Sequence, residues 1–284
     1  MRMTLSSFNR RPLKPGKTLE RGDLDATVIA VAAQKGGVGK TTTSVCLAAA
    51  WARFHGKRVL LVDLDPQANV NLAMRAQVQL GGGSLSDLLT EARGTEVAEI
   101  ATTTLIEGLD VTPADPGLLQ AENRMASRIG KELVLRTALE HSRTHYDLIV
   151  LDCPPNIGTL TVNALVAADR VLVPCNPAAL AVAGVSGIFQ TIEEVREQLN
   201  PELDMLGVVL TRVDGRNART NAAVMELVEE EWGSLLLPEQ IGINNDLAAA
   251  QLEGEDIFEH APRSRGAEQY RALAGELLER LEVE

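Results

Sequence analysis

Between an apolar run, Val28–Ala33, and a helical pattern, Thr41–Phe54, stands the segment Gln34-Lys35-Gly36-Gly37-Val38-Gly39-Lys40-Thr41-Thr42. A glycine-rich turn that leaves a strand and opens a helix commits a chain to strand–helix units packed as a parallel sheet. The rest of the sequence follows the same alternation. Further strands are expected at Arg58–Asp63, Leu109–Thr112, Asp147–Asp152, Arg170–Pro174 and Leu206–Val213. Most are near-continuous Val, Ile and Leu, the composition of parallel strands covered on both faces. Helical patterns occupy Pro116–Arg128, Lys131–Arg143, Thr159–Ala168, Val182–Leu199, Ala218–Trp232 and Arg265–Leu281. The expectation is an α/β fold: a single doubly wound, mostly parallel sheet with helices on both faces. No repeat or linker divides it, and Gly81–Gly82–Gly83 reads as a loop.

Composition narrows the setting. Hydrophobic residues make up 45% of the 284 and aromatics only 3%, so Leu, Val, Ile and Ala must fill the core. No apolar run reaches the roughly 18 residues of a membrane span, and the N-terminus lacks a signal-peptide pattern. Cys46, Cys153 and Cys175 are odd in number and lie in apolar segments, which reads as reduced thiols of a cytoplasmic protein. The net charge of -12 argues against a generic nucleic-acid binder. Yet Arg2, Arg10, Arg11, Lys14, Lys17 and Arg21 precede the first strand, so residues 1–25 read as a basic tail on an acidic domain, 26–284. A solvated leader and a contact segment both fit that tail.

The glycine segment has a chemistry of its own. Glycines let backbone N–H groups turn toward phosphate oxygens, and the helix N-terminus adds partial positive charge. Lys40 would reach the β- and γ-phosphates of ATP, and the Thr41 hydroxyl would ligate Mg²⁺. Gly36, Gly37, Val38, Gly39 and Thr42 complete the phosphate-binding set, with Lys35. Two strand ends carry carboxylates, where ligands of parallel sheets bind. One is Asp63-Leu64-Asp65-Pro66, in which Asp63 suits a turn-forming role as well as a direct one. The other is Asp152, followed by Cys153-Pro154-Pro155, a second station for Mg²⁺.

The loop departs from G-x-x-x-x-G-K-[ST] in having Gln34 where the first glycine would fall, and Lys35 next to it. The pattern Lys-Gly-Gly-Val-Gly-Lys-Thr resembles the deviant phosphate loop of the ParA/MinD group of ATPases. Val171-Leu172-Val173-Pro174, Gly207-Val208-Val209-Leu210-Thr211 and Ala261-Pro262-Arg263-Ser264-Arg265-Gly266-Ala267 extend the resemblance to the ParA family, and the last string resembles the ParA branch more than its relatives. The resemblance implies an ATP-dependent homodimer in which Lys35 crosses to the partner's nucleotide, as an arginine finger does. It implies that Asp65 helps place the attacking water and that a ParB-like partner triggers hydrolysis. It also implies transport of a cargo, chromosome or plasmid, over nonspecific DNA. Two departures bear on DNA. Ile243 and Asp246 occupy places where ParA relatives usually carry arginine, and an aspartate there repels phosphate. Arg212, Arg216, Arg219, Arg263, Arg265 and the tail remain as DNA candidates, although Arg212–Arg219 equally suits a solvated helix cap. A MinD-like membrane role would need a basic amphipathic C-terminal helix, whereas this chain ends Glu279-Arg280-Leu281-Glu282-Val283-Glu284. A metabolic enzyme of the same superfamily, an amidoligase or a cluster-bearing reductase, is the further alternative.

Overall fold

The computed structural model describes residues 24–78, 83–90, 95–177, 186–214 and 232–283. Seven strands form one sheet: β1 (Thr27–Val31), β2 (Val59–Asp63), β3 (Thr102–Thr103), β4 (Leu109–Thr112), β5 (Leu148–Asp152), β6 (Arg170–Cys175) and β7 (Asp204–Leu210). Their order is β3-β4-β2-β5-β1-β6-β7, and every pairing is parallel except that of the two-residue edge strand β3 with β4.

Side-chain alternation explains why both faces are covered. Val28, Ala30, Leu60 and Val62 point into one core, while Ile29, Val31, Val59 and Leu61 point into the other. The first core is closed by Leu118, Leu135, Leu160, Ile188 and Ile192 from helices on that side. The second is closed by α1 (Lys40–His55) and the C-terminal helix Arg265–Val283. Three successive alanines, Ala48–Ala50, let α1 approach its neighbours closely, and the buried Trp51 indole donates to the Ala274 carbonyl at 2.9 Å. The C-terminal helix buries Ala267, Tyr270, Leu273, Ala274 and Leu277 here, so its apolar face is used by the core. No described helix is long and apolar enough to cross a membrane.

Several expected elements differ in extent. The pattern Lys131–Arg143 yields a helix only over Val134–Leu139, between two 3₁₀ turns. The Glu96 carboxylate accepts the His141 and Ser142 amides at 3.1 Å each, which draws the chain out of the helical path. The seventh strand runs Asp204–Leu210 rather than Leu206–Val213, because Arg212 turns to φ 56°. Pro116–Arg128 is helical over Leu118–Ala126, and the helix expected from Val182 is described from Ser186 to Gln198. Positions 218–231 of the expected helix Ala218–Trp232, with Gly81 and Gly82, lie outside the described residues. So do tail residues 1–23. Leu24 and Ala26 donate backbone hydrogen bonds to Thr144 and Arg143, which ties the start of the described chain to the domain.

Candidate functional site

The central strand order brings three carboxyl ends side by side. Val31 pairs with Asp152, and Asp152 pairs with Asp63. The glycine loop leaves β1 directly above this edge. Gly37 and Gly39 adopt φ of 74° and 87°, a left-handed backbone that a side chain would strain and that turns successive N–H groups inward. The loop is braced from β7's end, where the Thr211 hydroxyl donates to the Val38 carbonyl at 2.6 Å. Thr211 belongs to a string singled out above, yet its bracing role had no signal beyond a hydroxyl following an apolar strand.

The two lysines of the loop go separate ways. Lys40 is 6% exposed and its Nζ donates to the Lys35 carbonyl at 3.3 Å. Burial lowers the Lys40 pKa, while the nearby Asp152, Cys153 and Asp65 oppose that shift. Lys35 and the adjoining Gly36 and Gly37 are exposed.

Thr41, Thr42, Thr43 and Ser44 give the first turn of α1 an unbroken run of hydroxyls. Ser44 Oγ donates to Asp152 Oδ1 at 3.0 Å, a contact the sequence reading missed. Asp152 Oδ2 is buried without a hydrogen-bond partner. Burial pushes the Asp152 pKa up to about 7, against the Thr41 and Ser44 hydroxyls and the Lys40 ammonium, which lower it. A buried carboxylate with one orphaned oxygen beside a threonine hydroxyl fits a hydrated divalent cation, which prefers oxygen ligands and keeps several waters. Thr41 and Asp152 are thus residues that suit Mg²⁺.

The other acidic segment divides its labour. Asp63 is fully buried and accepts the Asp65 amide at 3.0 Å and the Val70 amide at 3.2 Å, so it forms the turn. Burial, with the charge of Asp152, raises its pKa well above the carboxylate range. Asp65 is 5% exposed; its Oδ1 accepts the Gln67 amide at 2.9 Å, and its carbonyl accepts the Ala68 amide at 2.8 Å.

The DNA candidates divide between the rim of this site and more distant positions. Arg212, exposed, borders a cavity of about 210 Å³ beside Gly39, Thr42 and Thr211. Arg263 and Arg265 are exposed at the start of the C-terminal helix, and a Cβ at Gly242 would lie 3.6 Å from Arg265 Cζ. Arg216 and Arg219 fall outside the described residues. Ile243 is 55% exposed, and Asp246 sits in the first turn of helix Asn245–Glu253, its amide bound by Asn244 Oδ1 at 2.7 Å. All three cysteines are free and buried, and burial pushes their thiols up, Cys175 to about 12. Inert thiols of this kind are packing residues, not exposed ligands for a cluster.

A family model described as an AAA domain matches residues 26–205. The chain is 41% identical over 252 residues to the sporulation initiation inhibitor protein Soj of Bacillus subtilis, covering 88% of this chain and 97% of Soj. It is 37% identical to the chromosome partitioning protein ParA of Myxococcus xanthus, covering 89% of this chain and 88% of ParA. The chain belongs to the ParA/MinD-type P-loop ATPases. Among solved structures, cobyrinic acid a,c-diamide synthase of Mycobacterium smegmatis with bound ADP and magnesium superposes with a TM-score of 0.76 at 32% identity. That alignment covers 90% of this chain and 96% of the synthase. The sheet, the glycine loop and the Asp152 station of this ParA/MinD-type ATPase are the parts that its geometry builds most completely.

Proposed function

We propose that the chain is an ATP-driven partition switch: ATP closes a homodimer, the dimer holds DNA, and a ParB-like partner triggers hydrolysis and release. The observation that carries this reading is the split between the loop's lysines, Lys40 buried against its own loop and Lys35 exposed on its outer side. A lysine that serves its own subunit's nucleotide must be enclosed, while one that serves a partner's must be able to leave. The relatives named for chromosome partitioning support the cargo. The ATPase domain in this reading spans 26–284 behind a basic tail of 1–25, and it works in the cytoplasm on the nucleoid.

In this mechanism the inward N–H groups of Gly36–Gly39 and the α1 N-terminus bind the phosphates, and Lys40 neutralises the β- and γ-oxygens. Thr41 and Asp152 would hold Mg²⁺, which would supply further neutralising charge at the phosphates. Ser44 fixes one Asp152 oxygen and leaves the other available to a cation. Asp65 is held by its own turn, the position from which a carboxylate can orient water. Lys35 delivers its charge across the dimer as negative charge shifts to the leaving group.

Co-sedimentation with DNA in ATP, in ADP and without nucleotide, over a salt series, tests the reading. ATP-dependent, salt-sensitive binding is expected; no binding in ATP even at low salt would replace DNA with another matrix. The 32% likeness to a diamide synthase favours one competitor, an amide-forming enzyme of the same superfamily. ATP turnover that rises with DNA and a basic activator peptide, and not with a carboxylate substrate and an amide donor, separates the two.

A further inference from the structure

Two of the four consecutive hydroxyls in the first turn of α1 face away from the Asp152 station. Thr43 Oγ1 lies 3.1 Å from the Tyr270 hydroxyl inside the core. Thr42 Oγ1 accepts a hydrogen bond from Gln251 Nε2 at 2.9 Å. Gln251 stands in the last turns of helix Asn245–Glu253; Asp246, in its first turn, and Ile243, just before its cap, are exposed to solvent. Between α1 and this helix lies the cavity of about 210 Å³, with Gly39 and Thr42 on one wall and Asn244, Leu247 and Gln251 on the other.

The helix is lightly anchored. Only Ala250 of its nine residues is buried, and Leu252 is 68% exposed. Among the described residues the Gln251 bond joins two ties at the helix's C-terminal end, Arg75 to the Leu252 carbonyl and the Ala76 amide to the Gly254 carbonyl at 3.0 Å. A helix of this length is marginal by itself, so its opening equilibrium follows small changes in what holds it.

We propose that Gln251 is a positioning residue that couples the phosphate loop to helix Asn245–Glu253, so that nucleotide occupancy sets the order of the exposed turn Ile243–Asp246. The proposal rests on the nucleotide reading above. A nucleotide whose phosphates lie on the loop and whose remainder enters the cavity meets both ends of the bridge. Filling that space closes the helix against α1, and the Thr42–Gln251 bond makes the two move together. The loop's state then reaches a surface that touches no phosphate.

Hydrogen exchange of the amides from Ile243 to Glu253, with and without Mg-ATP, tests this in wild type and Gln251→Leu. Binding of a fluorescent ATP analogue is followed on the same samples. ATP should slow exchange in wild type, and Gln251→Leu should still bind ATP but lose about five-fold of that protection, the effect of one neutral hydrogen bond. ATP binding with no protection in wild type, or full protection in Gln251→Leu, would overturn the coupling alone. Failure of wild type to bind ATP would remove the nucleotide reading, and the coupling with it.

Discussion

At the carboxyl edge of β1, β2 and β5, polar groups are buried and held from several sides. Asp63 bridges two backbone amides, Ser44 holds Asp152, and Thr211 braces the loop at Val38. At Arg212, Ile243, Asp246, Arg263 and Arg265, by contrast, the residues are exposed. The Asn244 cap, for example, binds the Asp246 amide and would do so for any residue at 246. One residue changed at the first edge orphans a buried partner, which costs about 1–3 kcal/mol, whereas exposed positions change within about 0.5 kcal/mol. The chemical edge is therefore constrained by its own burial. The exposed positions are free to vary in residue type, because no buried partner depends on them.

The largest expected effect tests the outward lysine. Lys35→Ala should retain ATP binding and lose hydrolysis by on the order of a thousand-fold, the scale of a charge supplied in trans. Asp65→Ala should instead trap an ATP-bound dimer, visible by light scattering. If both variants and wild type stay monomeric in saturating ATP, the division of labour between the lysines is wrong. Lys40→Ala follows, with ATP affinity reduced by on the order of a hundred-fold as a charge-assisted contact is lost. Unchanged affinity for the fluorescent analogue would mean that the loop does not bind phosphate.

A smaller pair of effects bears on the two regions directly. Thr211→Val leaves the Val38 and Cys175 carbonyls without their hydroxyl partner and should destabilise the fold by about 2 kcal/mol. Arg263→Ala, on the exposed surface, should stay within about 0.5 kcal/mol in the same urea titration. Equal losses would erase the distinction between a constrained edge and a permissive surface.

The sequence disclosed the constrained edge almost whole, for a physical reason. Backbone geometry there demands particular residues: glycines at Gly37 and Gly39, a lysine and threonine at a helix start, and Asp at the ends of apolar strands. Those demands leave a pattern along the chain. Ser44 and Thr211 escaped because their roles are made by partners 108 and 173 residues away, at which no local pattern hints. The break in Lys131–Arg143 escaped likewise, since Glu96 causes it from another segment. The short strand β3 is too brief for alternation to register. At Ile243 and Asp246 the sequence raised only an expectation, that arginine is absent where relatives carry it, and the structure shows both residues open to solvent, where exchange is tolerated.

The smallest effect asks whether that tolerance has a direction. Asp246 lies in the first turn of helix Asn245–Glu253, where a negative charge meets the positive end of the helix dipole. Asp246→Arg forfeits that attraction, about 0.5 kcal/mol, but leaves the Asn244 cap intact because the cap binds backbone. The fold should therefore survive with a slightly lower melting temperature. On DNA the change replaces a repelled charge with a phosphate contact, so the slope of log K against log salt should steepen by about one unit. Deleting residues 1–21, which removes Arg2, Arg10, Arg11, Lys14, Lys17 and Arg21, should flatten the same slope if the tail touches phosphate. The two measurements report on two separate sources of charge. A steeper slope in Asp246→Arg with no change on tail deletion would assign DNA to the helix turn and make the tail an inert leader. The reverse result would assign it to the tail and leave Asp246 outside the interface.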